Sequence, residues 1–188
     1  MTIRSVTFVK KKTLYLVFQT MYSKKYNTDQ KQIYFKAYQN LSQLEVALNR
    51  IKKEDTAKIQ MSILGKVSQY YLDKEKDIPN GIDVIKIYWK KVWGNKVRFG
   101  RFYNSEIGNV FVVGGLASTF LHKVDGKSLA TLSSGPYGIL RGMGVNENLA
   151  LTYLKILNSG KYLLILRAYE ADFWDIEYIL EDKLKRNI

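Results

Sequence analysis

Residues 86–103, KIYWKKVWGNKVRFGRFY, hold six basic side chains, six aromatic ones and no acid. Lysine and arginine suit phosphate, while aromatic rings stack on unpaired bases or sit at a lipid headgroup boundary. On a helical wheel Ile82, Ile85, Trp89, Val92 and Trp93 share one face, Lys86, Lys90 and Lys91 lie off it, and Gly94 ends the helix. Arg98 and Arg101 follow in a strand-like VRFGRFY. Their planar forks match phosphate, and basic residues on a strand edge also discourage unwanted pairing. The expected contact set for an anionic partner is Lys86, Lys90, Lys91, Lys96, Arg98 and Arg101. The competing reading packs the tryptophan face on a sheet and leaves the basic residues in solvent.

An apolar run, residues 107–121 (IGNVFVVGGLASTFL), comes next. Short apolar segments from several copies can bury one another, and Gly108, Gly114 and Gly115 permit close backbone approach. Val110, Phe111, Val112, Val113, Gly114, Gly115 and Leu116 are therefore the candidate self-association surface. The alternatives are a segment that touches a membrane and a buried strand and turn within one domain. The run is shorter than the roughly 18–20 apolar residues of a membrane-spanning helix.

Other potential chemistry is sparse. Residues 133–144 (SSGPYGILRGMG) contain four glycines ahead of a helix start and could cradle a phosphate, with Arg141 assisting. They match neither phosphate-binding glycine signature, so an ordinary turn-rich connection is the competing reading. His122 is the only histidine and there is no cysteine, leaving neither a zinc set nor a histidine relay. Asp172, Asp175, Glu177, Glu181 and Asp182 fit a solvated helix face and form no ligand motif. No catalytic residue, cofactor, metal site or small-molecule substrate is expected, and the chain is read as not an enzyme.

The net charge of +13 is unevenly spread. Residues 1–31 carry seven basic groups and one acid, and residues 81–105 carry six and one. Concentrated charge points to anionic partners such as nucleic acid or an anionic membrane surface, although it also aids solubility. The absence of cysteine and of a secretory signal suits a cytoplasmic location, either free or peripheral to the membrane.

The elements that must position these groups can be read at both ends. Residues 1–31 form a basic arm or hairpin. Residues 32–38 have strand composition, Asn40 or Ser42 caps a helix, and Ser42-x-x-Glu45 fits a capping box. Leu41, Leu44, Leu48 and Ile51 lie on one helical stripe, and residues 59–67 read as a half-buried strand. Near the other end, Asn146 caps a helix to about Asn158 and Gly160 stops it. Residues 162–168 (YLLILRA) form a central apolar strand, and Asp172 caps a final helix with Phe173, Ile176, Ile179 and Leu180 inward. The fold class expected is α/β (α+β). Its sheet is a ferredoxin-like split βαβ with helices on one face, in a single domain over 32–188. The apolar and basic middle is an insertion at about 68–138.

The flanks resemble the bacterial heat-induced, or general, stress protein domain. The matching residues are IYFKAYQNLSQLEVALNRI, MSILGK at 61–66, IGNVFVVGGLAS in the middle, and ILRGMGVNENLALTYLKILNSGKYLLILRA at 139–168. The closing motif is the most specific, with Gly144-Val145, Ala150, Tyr153 and Gly160-Lys161 at matching spacing. Residues 1–31 and 68–100 fall outside the resemblance, and the middle is shorter, more basic and more aromatic than the usual one. The resemblance implies a fold and a stress-related or structural role with no established catalytic residues. Two functions follow as expectations. The first is a non-enzymatic protein acting through self-association, as a homo-oligomer or a subunit of a larger assembly. The alternative is a binder of nucleic acid or anionic membrane through residues 1–31 and 86–101.

Overall fold

The apolar run at residues 162–168 forms strand β7 (Tyr162–Tyr169), which lies inside the sheet. It is antiparallel to both of its neighbours, β1 (Lys31–Tyr38) and β2 (Gln60–Lys66), so that Leu164 faces Lys36 on one side and Ile63 on the other. β1 and β2, joined through helix α1 (Leu41–Ile51), therefore run parallel to each other with β7 between them. Beyond β2 come β4 (Gly108–Gly114) and then β3 (Phe99–Asn104), giving the order β1-β7-β2-β4-β3. The computed structural model describes residues 31–52, 59–74, 83–169 and 180. The N-terminal arm lies outside these residues except for Lys31, and the final helix does so except for Leu180.

The expectation of helices on one face is corrected. β4 and β7 are apolar at consecutive positions, so both faces of the sheet need cover. Ile63, Phe111, Val113, Tyr162, Leu164 and Leu166 point to one face. There they meet α1, α2 (Val67–Asp73) and α3 (Val84–Trp93). Leu64, Val110, Val112, Leu163 and Ile165 point to the other. That face is covered by α4 (Ala117–Phe120), α5 (Gly135–Gly142) and α6 (Glu147–Asn158). The middle of the chain is woven into this arrangement, since it supplies β3 and β4 to the same sheet. A two-stranded hairpin, β5 (Lys123–Val124) with β6 (Lys127–Ser128), lies apart from it.

Local signals place the helices. The Asn146 side chain accepts from the Leu149 amide at 2.9 Å and starts α6. Gly160 follows its end with φ +87°, a backbone that favours glycine. α1 begins differently from the Ser42/Glu45 box. Asn40 Oδ1 accepts from the Gln43 amide at 3.0 Å, and Gln43 Oε1 accepts from the Gln39 amide at 3.1 Å. The Leu41 amide donates to Asp73 Oδ2 at 2.7 Å. Glu45 is thereby left for a tertiary contact.

Candidate functional site

α3 carries the basic segment, and its seating decides which side chains reach solvent. The Asp83 side chain accepts from the Lys86 amide at 3.2 Å and starts the helix; Gly94, at φ +93°, ends it. Ile85 and Trp89 are fully buried against the sheet, and Val92 and Trp93 pack half-buried beside them. The Trp89 ring lies 5.0 Å from Tyr88, 5.8 Å from Trp93 and 6.1 Å from Phe111 between centroids. The tryptophan pair thus faces the interior. The outer face is left with Lys86, Ile87 and Lys91 exposed and Lys90 half-buried.

The six expected contact residues do not form one uniform patch. Lys96 is exposed in the turn after α3, and among the described residues none of Lys86, Lys90, Lys91 and Lys96 pairs with a carboxylate. Arg98, also exposed, donates to Ser118 Oγ at 3.1 Å, which turns it towards α4. Arg101 forms an ion pair with Asp83, tying the edge strand β3 to the first turn of α3. Sequence reasoning missed Lys52, whose ammonium donates to the Val92 carbonyl in the last turn of α3. A cation there complements the negative end of the helix dipole. Nothing local to Lys52 signals this contact, because it joins the end of α1 to the end of α3. Lys86 and Lys90 are four apart on one helix, a like-charge spacing that destabilises a helix by about 0.2–0.5 kcal/mol.

The expected self-association surface is corrected in place. Val110, Phe111, Val112 and Val113 have no exposed surface, and Leu116 is buried. β4 is an inner strand covered on both faces, so its apolar side chains are occupied within the chain. Gly114 and Gly115 do permit close approach, but to β2: a Cβ on Gly114 would lie 2.2 Å from the Met61 carbonyl oxygen. The Gly115 amide donates to that same oxygen at 3.0 Å. Residues 133–144 also differ from the turn-rich connection expected. Most of residues 133–144 are helical as α5, and the Arg141 guanidinium donates to the Val145 carbonyl at 2.8 Å. His122 is exposed. The acids of the expected final helix lie outside the described residues.

A second polar cluster, unseen in the sequence, links α1, α2 and α3. The Tyr88 hydroxyl donates to Glu45 Oε1, and Lys74 Nζ reaches the same oxygen at 3.0 Å while lying 4.8 Å from the centre of the Tyr88 ring. Burial, reinforced by the hydrogen bond to Glu45, pushes the Tyr88 hydroxyl well above the usual tyrosine range. Burial pushes Tyr70 up to about 12, with smaller contributions from Tyr71 and Glu45. Tyr162 is raised by burial first and then by Asp73. The contacts of Tyr88 and Lys74 to Glu45 make a polar clamp between the helices.

Among the described residues, no group of three or more His, Cys, Asp or Glu is placed to hold a metal ion, and no helix is long and apolar enough to cross a membrane. No family model, curated protein or solved structure matches the chain.

Proposed function

We propose that this chain binds an anionic macromolecule through the outer face of α3 and the turn that follows it, and that it acts without catalysing a reaction. The observation that carries this reading is the placement of Lys86, Lys90, Lys91 and Lys96. They share the outward side of one helix and its C-terminal turn, and no carboxylate among the described residues neutralises them. Like charges held together in this way raise the local potential for an anion.

The test is binding to labelled nucleic acid and to anionic vesicles as salt is raised. With four phosphate contacts on a single strand, log affinity should fall against log salt with a slope of about −3. Combined Lys86→Glu, Lys90→Glu and Lys91→Glu substitutions should weaken binding more than tenfold while leaving the circular dichroism spectrum unchanged. No detectable binding to either partner at low salt overturns the reading.

Self-association, the other expected role, is supported by one observation. β3 is one of the two outer strands of the five, the other being β1, and among the described residues nothing pairs with its far edge. A second copy could extend the sheet there, with Arg101 acting against it as an edge charge. Sedimentation over a wide concentration range tests this, and a strict monomer overturns it. We further read β1, α1 and β2, with β7 inserted between the strands, as a split βαβ core of ferredoxin type extended by β4 and β3. The stress-protein resemblance of residues 139–168 belongs to the same proposal.

A further inference from the structure

Resting on the anionic-partner reading, we propose that the partner is single-stranded nucleic acid and that Tyr103 is the ring on which one of its bases stacks. Tyr103 is 62% exposed, the most of any large apolar or aromatic side chain described. It stands near the end of β3 opposite Asn109, which is also exposed, so nothing on the neighbouring strand covers the ring. Arg101 lies two residues back and therefore on the same face of the strand. Its ion pair with Asp83 brings that part of β3 to the start of α3. The strand that carries the uncovered phenol ring is thus tied, through the Arg101–Asp83 ion pair, to the start of the helix that carries the lysines. A charged track beside an aromatic platform is the arrangement that holds a single strand, because every base has a face to stack while the backbone follows the charge.

The same geometry disfavours the other anionic surfaces. A helix that seats in a bilayer interface presents its apolar face to lipid, whereas Trp89 is fully buried, Trp93 is half-buried, and Ile87 is the main apolar group left outside. Reading of duplex bases from the major groove uses Arg or Lys on guanine and Asn or Gln on adenine. Of these the outer face of α3 offers only lysines, which meet phosphate as mobile point charges, so the contact is expected to be largely independent of base sequence.

Fluorescence anisotropy with end-labelled oligo-dT, a duplex of equal length and vesicles of phosphatidylcholine with phosphatidylserine tests the proposal on the full chain. Tyr103→Ala should weaken oligo-dT binding about tenfold, as expected for loss of one stacked base. It should leave the duplex affinity unchanged, and Tyr103→Phe should retain wild-type binding. The combined Lys86→Glu, Lys90→Glu and Lys91→Glu variant should weaken both nucleic acids. If Tyr103→Ala binds oligo-dT like the wild type while the lysine variant does not, stacking is overturned and the basic-surface reading stands. Binding to vesicles but not to oligo-dT overturns the single-strand proposal in the same way. If the lysine variant binds every partner like the wild type, the basic-surface reading itself fails.

Discussion

Gly65 and Phe111 stand opposite each other across the β2–β4 pair, and the phenylalanine ring fills the space that a side chain on residue 65 would occupy. A Cβ there would lie 2.7 Å from Phe111 and 2.7 Å from Tyr162, two rings with no exposed surface. Gly65→Ala should therefore overpack the core and cost roughly 1–3 kcal/mol in urea denaturation. Adding Phe111→Leu should recover part of that loss, whereas Phe111→Leu alone should destabilise. Additive losses in the double variant would show that the two positions do not compete for the same space.

The tyrosine cluster predicts an alkaline limit to stability. Tyr70 ionises at about 12 in the folded chain against 10.0 for a free tyrosine, and Tyr88 and Tyr162 are raised as well. Below pH 10 all three phenols are protonated in both states, and their contribution is fully present. Above it the unfolded chain releases those protons first, so stability falls as pH rises from 10 towards 12. Denaturant midpoints across this range should drop, and tyrosinate absorbance should lag behind that of the unfolded chain. Tyr88→Phe should flatten the drop and cost about 1 kcal/mol at neutral pH, the Glu45 contact being partly exposed.

Asn104 is one of two buried polar residues among those described, and its amide holds the connection ahead of α5. Its Nδ2 donates to the carbonyls of Ala130 at 3.2 Å and Leu132 at 2.7 Å, and its Oδ1 accepts from the Glu106 amide at 3.0 Å. Asn104→Ala removes these bonds, with only the Leu132 carbonyl keeping another donor in the Gly135 amide at 2.8 Å, and should cost roughly 1–3 kcal/mol. Faster amide exchange over residues 129–135 would be the local signature. Asn104→Asp should be worse, because a carboxylate would replace the donor facing those carbonyls.

Trp89 separates a packing role from a contact role within one helix. Its ring is fully buried, and its indole N–H has no hydrogen-bond partner in the structure described. Trp89→Ala should cost about 3–5 kcal/mol as a cavity in the core. Trp89→Phe should cost much less, since it keeps an aromatic ring and removes an unpartnered donor. Neither change should alter the salt dependence of anion binding, provided the protein is folded in the assay.

Much of the scaffold is legible where one residue type has one local task. Asn146, Gly160 and the apolar run at 162–168 mark a helix start, a helix stop and a strand, and each does so in the fold. The lysine side of α3 is legible for the same reason, since helical spacing alone turns Lys86 and Lys91 away from Trp89. Ser42 and Glu45 mislead because a capping box is only a spacing. Asn40 lies two residues earlier and takes the cap, while Glu45 is drawn to Tyr88 and Lys74 from other helices. The run from Val110 to Val113 misleads in another way. Apolar residues at both parities fit an exposed seam or an inner strand equally well, and only the partners on either side decide between them.

The position of β7 bears on how the chain is made. Among the described residues it is the last of seven strands to be synthesised, yet it sits between the first two of them. Until the nascent chain reaches this strand, β1 and β2 have no common neighbour, and β2 presents a bare edge to its surroundings. Pairings between residues so far apart in sequence form late and slowly. The sheet therefore closes only once residues 162–169 have been made, and chains that stop short of residue 162 expose the edges that most readily aggregate.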